Sequence, residues 1–76
     1  MNGTKIKLNY NDLKHFVSVT SSFESDIDMI KDNYVVDAKS IMGIFSLDFS
    51  NDVYVKIHSN NENEIIRFLE TMKEFE

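Results

Sequence analysis

His15 and His58 are the two imidazoles of the sequence. An imidazole is the side chain best suited to accept a proton or a phosphoryl group near neutral pH. A working histidine also needs a group that orients it and donors that stabilise the charge it creates. Neither histidine has such neighbours at a recognisable spacing. His15 reads as a helix-surface residue, and His58 as an outward residue of a strand. The chain has no cysteine, so disulfides are excluded and a structural zinc site lacks ligands. Asp26, Asp28, Asp32 and Asp37 are the obvious carboxylates. Their spacing alternates along a strand and does not match a calcium loop. They read as a solvated strand face, so no metal and no cofactor is expected. Ser40 stands before a short apolar run. Its hydroxyl can cap a helix, a contribution of about 1 kcal/mol. No nucleophile elbow, phosphate loop or metalloprotease motif occurs. Nothing in the pattern reads as an enzyme.

These residues are carried by seven elements. Lys5 to Leu8 alternates, with Ile6 and Leu8 on one face, and predicts a short strand. Asn9 or Asn11 can cap the helix that follows, and Asp12 suits its positive first turn. Leu13, Phe16, Val17 and Thr20 recur at helical spacing, and Phe23 lies beyond the helix end. Asp26-Ile27-Asp28-Met29 alternates again and predicts a strand with Ile27 and Met29 inward. Asp32-Asn33 is a turn, since both residues tolerate left-handed backbone. Tyr34-Val35-Val36 returns as the second arm of a hairpin. Ser40 opens a short helix over Ile41 to Phe45, with Ile41, Ile44 and Leu47 read as core. Val53, Val55 and Ile57 alternate with Tyr54, Lys56 and His58 in a further strand. Asn61 with Glu64 forms a capping box, and Ile65, Phe68, Leu69, Met72 and Phe75 form the apolar stripe of a last helix.

Seventy-six residues make one domain, residues 1–76. Its core must come from the 42% of apolar residues, which include six Phe and four Met. That is enough for a packed fold. The formal net charge of −5 and the scattered cations exclude the basic patch that a nucleic-acid binder needs. The longest apolar run, Ile41 to Phe49, is broken by Gly43, Ser46 and Asp48 and is too short to span a bilayer. The first residues lack the regions of a signal peptide. A cytoplasmic protein with no membrane partner is expected.

The run Val36-Asp37-Ala38-Lys39-Ser40-Ile41-Met42-Gly43-Ile44-Phe45-Ser46-Leu47 resembles the regulatory-serine segment of the HPr family, the phosphocarriers of the bacterial sugar phosphotransferase system. It is closest to the Gram-positive Lys-Ser-Ile-Met-Gly form. The spacing of Phe16-Val17 and Phe23 resembles the family's first helix, and Phe23 to Ile27 its entry into the second strand. The last strand and the last helix resemble it too, so the likeness covers nearly the whole chain. It implies an α+β fold, an HPr-like open-faced β-sandwich in the order βαββαβα. A four-stranded antiparallel sheet would carry three helices on one face. The buried set should include Phe16, Val17, Ile27, Met29, Val55, Ile57, Phe68, Leu69 and Met72.

The phosphoryl end of the family pattern does not match. The family places His-x-Arg-Pro at the start of the first helix, where helix amides and arginine stabilise the phosphoryl group. This chain has no proline, and its only arginine is Arg67 in the last helix. Anchoring on Phe16-Val17 puts Asn9 at the histidine position and Asn11 at the arginine position. The connection before the helix also reads about four residues short, judged from the chain needed to join the elements. The resemblance therefore implies a non-catalytic regulatory protein that binds other proteins, as in the catabolite-repression branch, which lacks the histidine and keeps the serine. Ser40 would be its regulatory phosphorylation site, with Asp37 opposing the phosphate and Lys39 offsetting it. Met42 and Phe45 would form its partner surface, since methionine and aromatics suit adaptable contacts. Its partners would be proteins of the phosphotransferase system or its regulators, an HPr kinase among them. Two other readings stand beside this one. One is a phosphocarrier using His15 next to Lys14. The other is a structural interaction module, such as a homodimer, without phosphorylation. Asp48 stands where the family often ends its short helix with glycine.

Overall fold

The computed structural model describes residues 3–48 and 52–76; Phe49, the last residue of the apolar run, lies outside them. Strict alternation builds the sheet. β1 spans Thr4–Ile6, β2 Asp26–Lys31, β3 Tyr34–Asp37 and β4 Val53–His58. All neighbours are antiparallel, in the order β1-β4-β2-β3. Because successive side chains point to opposite faces, Ile6, Ile27, Met29, Val53 and Val55 are buried together on one face. Lys5, Tyr54, Ile30 and Val35 stand side by side on the other. Three helices cover the apolar face: α1 over Tyr10–Ser21, α2 over Ile41–Phe45 and α3 over Glu62–Met72, which runs on into a 3₁₀ turn at Lys73–Phe75. This is the open-faced α+β sandwich expected.

The helices start where their caps stand. Asn9 has extended backbone, and its side-chain oxygen accepts from the Asp12 amide at 3.0 Å. Ser40 does the same for the Gly43 amide at 3.1 Å. Asn61 accepts from the Asn63 and Glu64 amides. The tight turn between β2 and β3 follows the expected Asp32-Asn33 pair, with Asp32 at φ 54°, a left-handed conformation that aspartate tolerates.

Edge-to-face aromatics fix α1 and α3 over the core. The rings of Phe16 and Phe75 are 5.1 Å apart, and those of Phe23 and Phe68 5.7 Å. The Arg67 guanidinium lies 4.0 Å over the Phe23 ring, a cation–π contact.

Five expectations need correction. Leu69 is 45% exposed. It sits one residue, about 100°, round the helix from Phe68, and α3 buries the narrower stripe of Phe68 and Met72. Ile41 is exposed at the start of α2, while Ile44 and Leu47 are buried; so short a helix can press one side onto the sheet. Val17 and Ile57 are half-buried at the margin of the core. The capping box is only half formed. Asn61 caps α3, but the Glu64 carboxylate turns away from the cap. It accepts instead from the amide of Ser25 at 3.2 Å and from its hydroxyl. The Asn61 amide donates to Ser59 Oγ at 3.0 Å in its place. β1 also ends at Ile6, earlier than the alternation suggests. Beyond it Lys7 N–H donates to Phe75 C=O at 2.7 Å, drawing the chain off the sheet while Leu8 remains buried.

Candidate protein-binding site

α1 and α2 meet through aromatic contact. Tyr10, in the first turn of α1, stacks on Phe45, in the last turn of α2, with centroids 5.9 Å apart. Ile41 and Phe45 are four residues apart on α2 and share a face. Met42 is 76% exposed, Tyr10 73% and Phe45 51%. Together these side chains make an apolar patch across two helices, a kind of surface that marks binding sites.

The segment that carries Ser40 is held from behind. The buried Thr20 hydroxyl donates to Ala38 C=O at 2.9 Å, tying the end of α1 to the chain just before Ser40. Lys39 Nζ donates to Phe23 C=O at 2.7 Å. That commits the Lys39 ammonium to the chain just after α1, a partner the sequence does not indicate. The Asp37 carboxylate accepts from the Lys39 amide at 2.8 Å, and Ser40 N–H donates to Asp37 C=O at 3.0 Å. Ser40 is half-buried, and its hydroxyl oxygen is bound to the Gly43 amide.

The structure thus brings Ser40, Met42 and Phe45 together on α2 and adds Tyr10 to them. Sequence reasoning missed Tyr10. Its one signal was a large aromatic at an exposed first-turn position next to the cap. The end of α1 nearest this patch has Asn9 as its cap and exposed Asn11 in its first turn. Arg67 is engaged elsewhere, over Phe23.

His15 lies outside the patch. Its Nε2 is 3.3 Å from both Glu74 carboxylate oxygens, and its ring tilts against Phe75 at 5.9 Å. His58 faces out from the open side of the sheet, as expected, and its Nε2 is 2.7 Å from Asp28 Oδ2. Among the described residues, no cluster of three or more potential metal ligands occurs. No helix among them is long and apolar enough to cross a membrane.

An antiparallel open sheet of this strand order, covered on one face by three helices and bearing an exposed apolar helix pair beside a capping serine, defines the HPr class of small α+β proteins. The profile of the family "PTS HPr component phosphorylation site" matches residues 5–75, and the chain belongs to that family. Among solved structures it is similar to HPr-C-His from Thermoanaerobacter tengcongensis, with a TM-score of 0.74 at 33% identity over 96% of this chain and 92% of that one. It is similar to the HPr dimer from the same organism, with a TM-score of 0.69 at 40% identity over 88% and 79%. It is also similar to Crh, the catabolite repression containing protein of Bacillus subtilis, described as a dimer with a swapping domain, with a TM-score of 0.64 at 30% identity over 93% and 84%. No curated protein matches the chain.

Proposed function

We propose that this member of the HPr family is a non-catalytic, cytoplasmic regulator of sugar uptake that works by binding other proteins through α2 and the Ser40 segment. The observation that carries the reading is an asymmetry between the two ends of one surface. The serine segment is intact, with Ser40 at the head of α2 and Met42 and Phe45 exposed beside it. At the other end Asn9 caps α1 with its side chain. An asparagine amide is no nucleophile toward a phosphoryl group, and no proline or second arginine exists to rebuild that site.

The runner-up acceptor, His15, is poorly placed. The Glu74 carboxylate beside its Nε2 would repel an incoming phosphoryl group. Phosphorylation at Ser40 would add roughly −1.5 to −2 charges to an acidic protein. It would displace the hydroxyl from the Gly43 amide and change what α2 can bind. Partners with an arginine cluster would gain affinity, and partners that pack on bare Met42 would lose it.

Two incubations test the reading, each followed by mass spectrometry. With a bifunctional HPr kinase, Ser40 should gain one phosphate. With phosphoenolpyruvate and the general enzyme of the phosphotransferase system, no acid-labile phosphate should form on His15. Rapid labelling of His15 would establish a phosphocarrier. An unmodified Ser40 would leave the serine as a cap alone.

A further inference from the structure

The two lateral edges of the sheet are built differently. β1 carries Lys5 at its centre, ion-paired to Asp52 at 3.0 Å, and an edge lysine guards against further strand pairing. Just past it the chain is covered by the bond from Lys7 to Phe75. Among the described residues β3 carries no lysine, and only its last carbonyl, that of Asp37, is covered, by the Ser40 N–H. Its sequence is Tyr34-Val35-Val36-Asp37, and its pairing to β2 runs without a bulge from Lys31↔Tyr34 to Asp28↔Asp37. Tyr34 is 67% exposed and Val35 59%.

The free backbone groups of this edge can be assigned. Ala38 N–H donates to Ile27 C=O at 2.9 Å. Hydrogen-bonding direction alternates residue by residue along an antiparallel strand. Val36 and Tyr34 therefore also face β2, and the N–H and C=O of Val35 and the N–H of Asp37 point away from the sheet, while the Asp37 C=O is already taken by the Ser40 N–H at 3.0 Å.

We infer that β3 pairs antiparallel with β3 of a second copy of this chain, Val35 opposite the partner's Val35 on a two-fold axis. Three constraints fix that register. A two-fold contact is self-complementary, so the axis must pass through the strand's own centre. A continuous sheet needs residues of the same face opposite one another, which leaves Val35 or Val36 on the axis. An axis at Val36 sets Val35 against the partner's Asp37, an apolar group against a carboxylate. An axis at Val35 sets Tyr34 against the partner's Val36, a favourable aromatic and β-branched pair. It sets Asp37 against the partner's Asn33, so no two carboxylates oppose. It also joins two apolar rows. Tyr54, Ile30 and Val35 are neighbours across the open face, and the axis brings each row end to end with its copy.

The chain has no cysteine, so one introduced thiol reports the contact cleanly. Directly opposed residues of this type have Cα atoms about 5.5 Å apart, inside the range a disulfide spans. Under mild oxidation V35C should cross-link to a dimer at least about tenfold faster than D32C at the hairpin tip, because facing thiols have a raised effective concentration. In sedimentation the native chain should be a dimer at high protein concentration. The dimer should strengthen with salt, since two chains of charge −5 repel. V35K should be monomeric with an unchanged far-ultraviolet circular dichroism spectrum. Three results would each overturn the inference: a native chain that stays monomeric at millimolar concentration, equal cross-linking of V35C and D32C, or a dimer that survives V35K.

Discussion

Thr20 shows how one residue decides where the candidate site stands. Its hydroxyl is fully buried and reaches Ala38 C=O at 2.9 Å and Val17 C=O at 3.2 Å. A valine of the same shape would keep the packing and drop the donor. Leaving a buried carbonyl short of a partner costs on the order of 1–3 kcal/mol. We expect Thr20→Val to lower the unfolding free energy by an amount in that range, read as a lower urea midpoint at unchanged slope in equilibrium denaturation. An unshifted midpoint would mean the bond contributes nothing. At this scale much of the site was legible. Ser40 announces itself as a cap before an apolar run, and Met42 and Phe45 as excess apolar residues on a helix too short to bury them. Tyr10 did not, because its role arises only where α1 crosses α2 and the two rings stack. Lys39 did not either, since its partner is a backbone carbonyl in the connection after α1.

Elements were legible where a local rule fixes them. The strands β2 and β4 follow from alternation, the turn between β2 and β3 from Asp32-Asn33, and the helix starts from Asn9, Ser40 and Asn61. What local rules cannot supply is the choice between two acceptable partners, and Glu64 is the instance. It sits at the third position of α3, where a capping-box glutamate would reach back, yet it binds Ser25 across the molecule. Hydrogen bonds from Ser25, then Ser59, pull its pKa from the ordinary 4.5 to about 2. A carboxyl depressed in this way contributes stability that is fully present above pH 4.5 and is lost as pH falls toward 2. Glu64→Gln should therefore be less stable than the native chain at neutral pH, and its urea midpoint should fall less steeply across that acid window. Parallel pH profiles for the two proteins would show that the contact has no weight. The exposure of Leu69 has the same kind of origin: helical periodicity marks an apolar stripe, and only docking on the sheet decides how wide a stripe is covered.

For the whole molecule, the weak point is its smallness. A domain of this length has a total stability of roughly 4–11 kcal/mol at about 0.05–0.15 kcal/mol per residue. The 3₁₀ turn after α3 matters at that level. Phe75 is buried against Phe16, and its carbonyl accepts from Lys7 just after β1. Phe75→Ala should cost about 3–5 kcal/mol, a large share of the total, and thermal unfolding should show a substantially populated unfolded state near 37 °C. A melting temperature within a few degrees of the native value would mean that the turn packs on the core without supporting it.

The sheet order has a consequence for how the chain is made. Among the described residues β1 pairs with β4 alone, about fifty residues later. β1, with Ile6 and its unpaired backbone, has no partner strand until β4 has been synthesised and has emerged. The β2 and β3 arms, joined by two residues, can close at once. The order of emergence and the order of assembly are therefore opposed, and the first strand synthesised is among the last to find its place. Slow prolyl isomerisation adds nothing to the delay, since there is no proline to isomerise. Until β4 arrives, Ile6 and Leu8 are apolar side chains without their core, the kind of short segment that a holding chaperone covers.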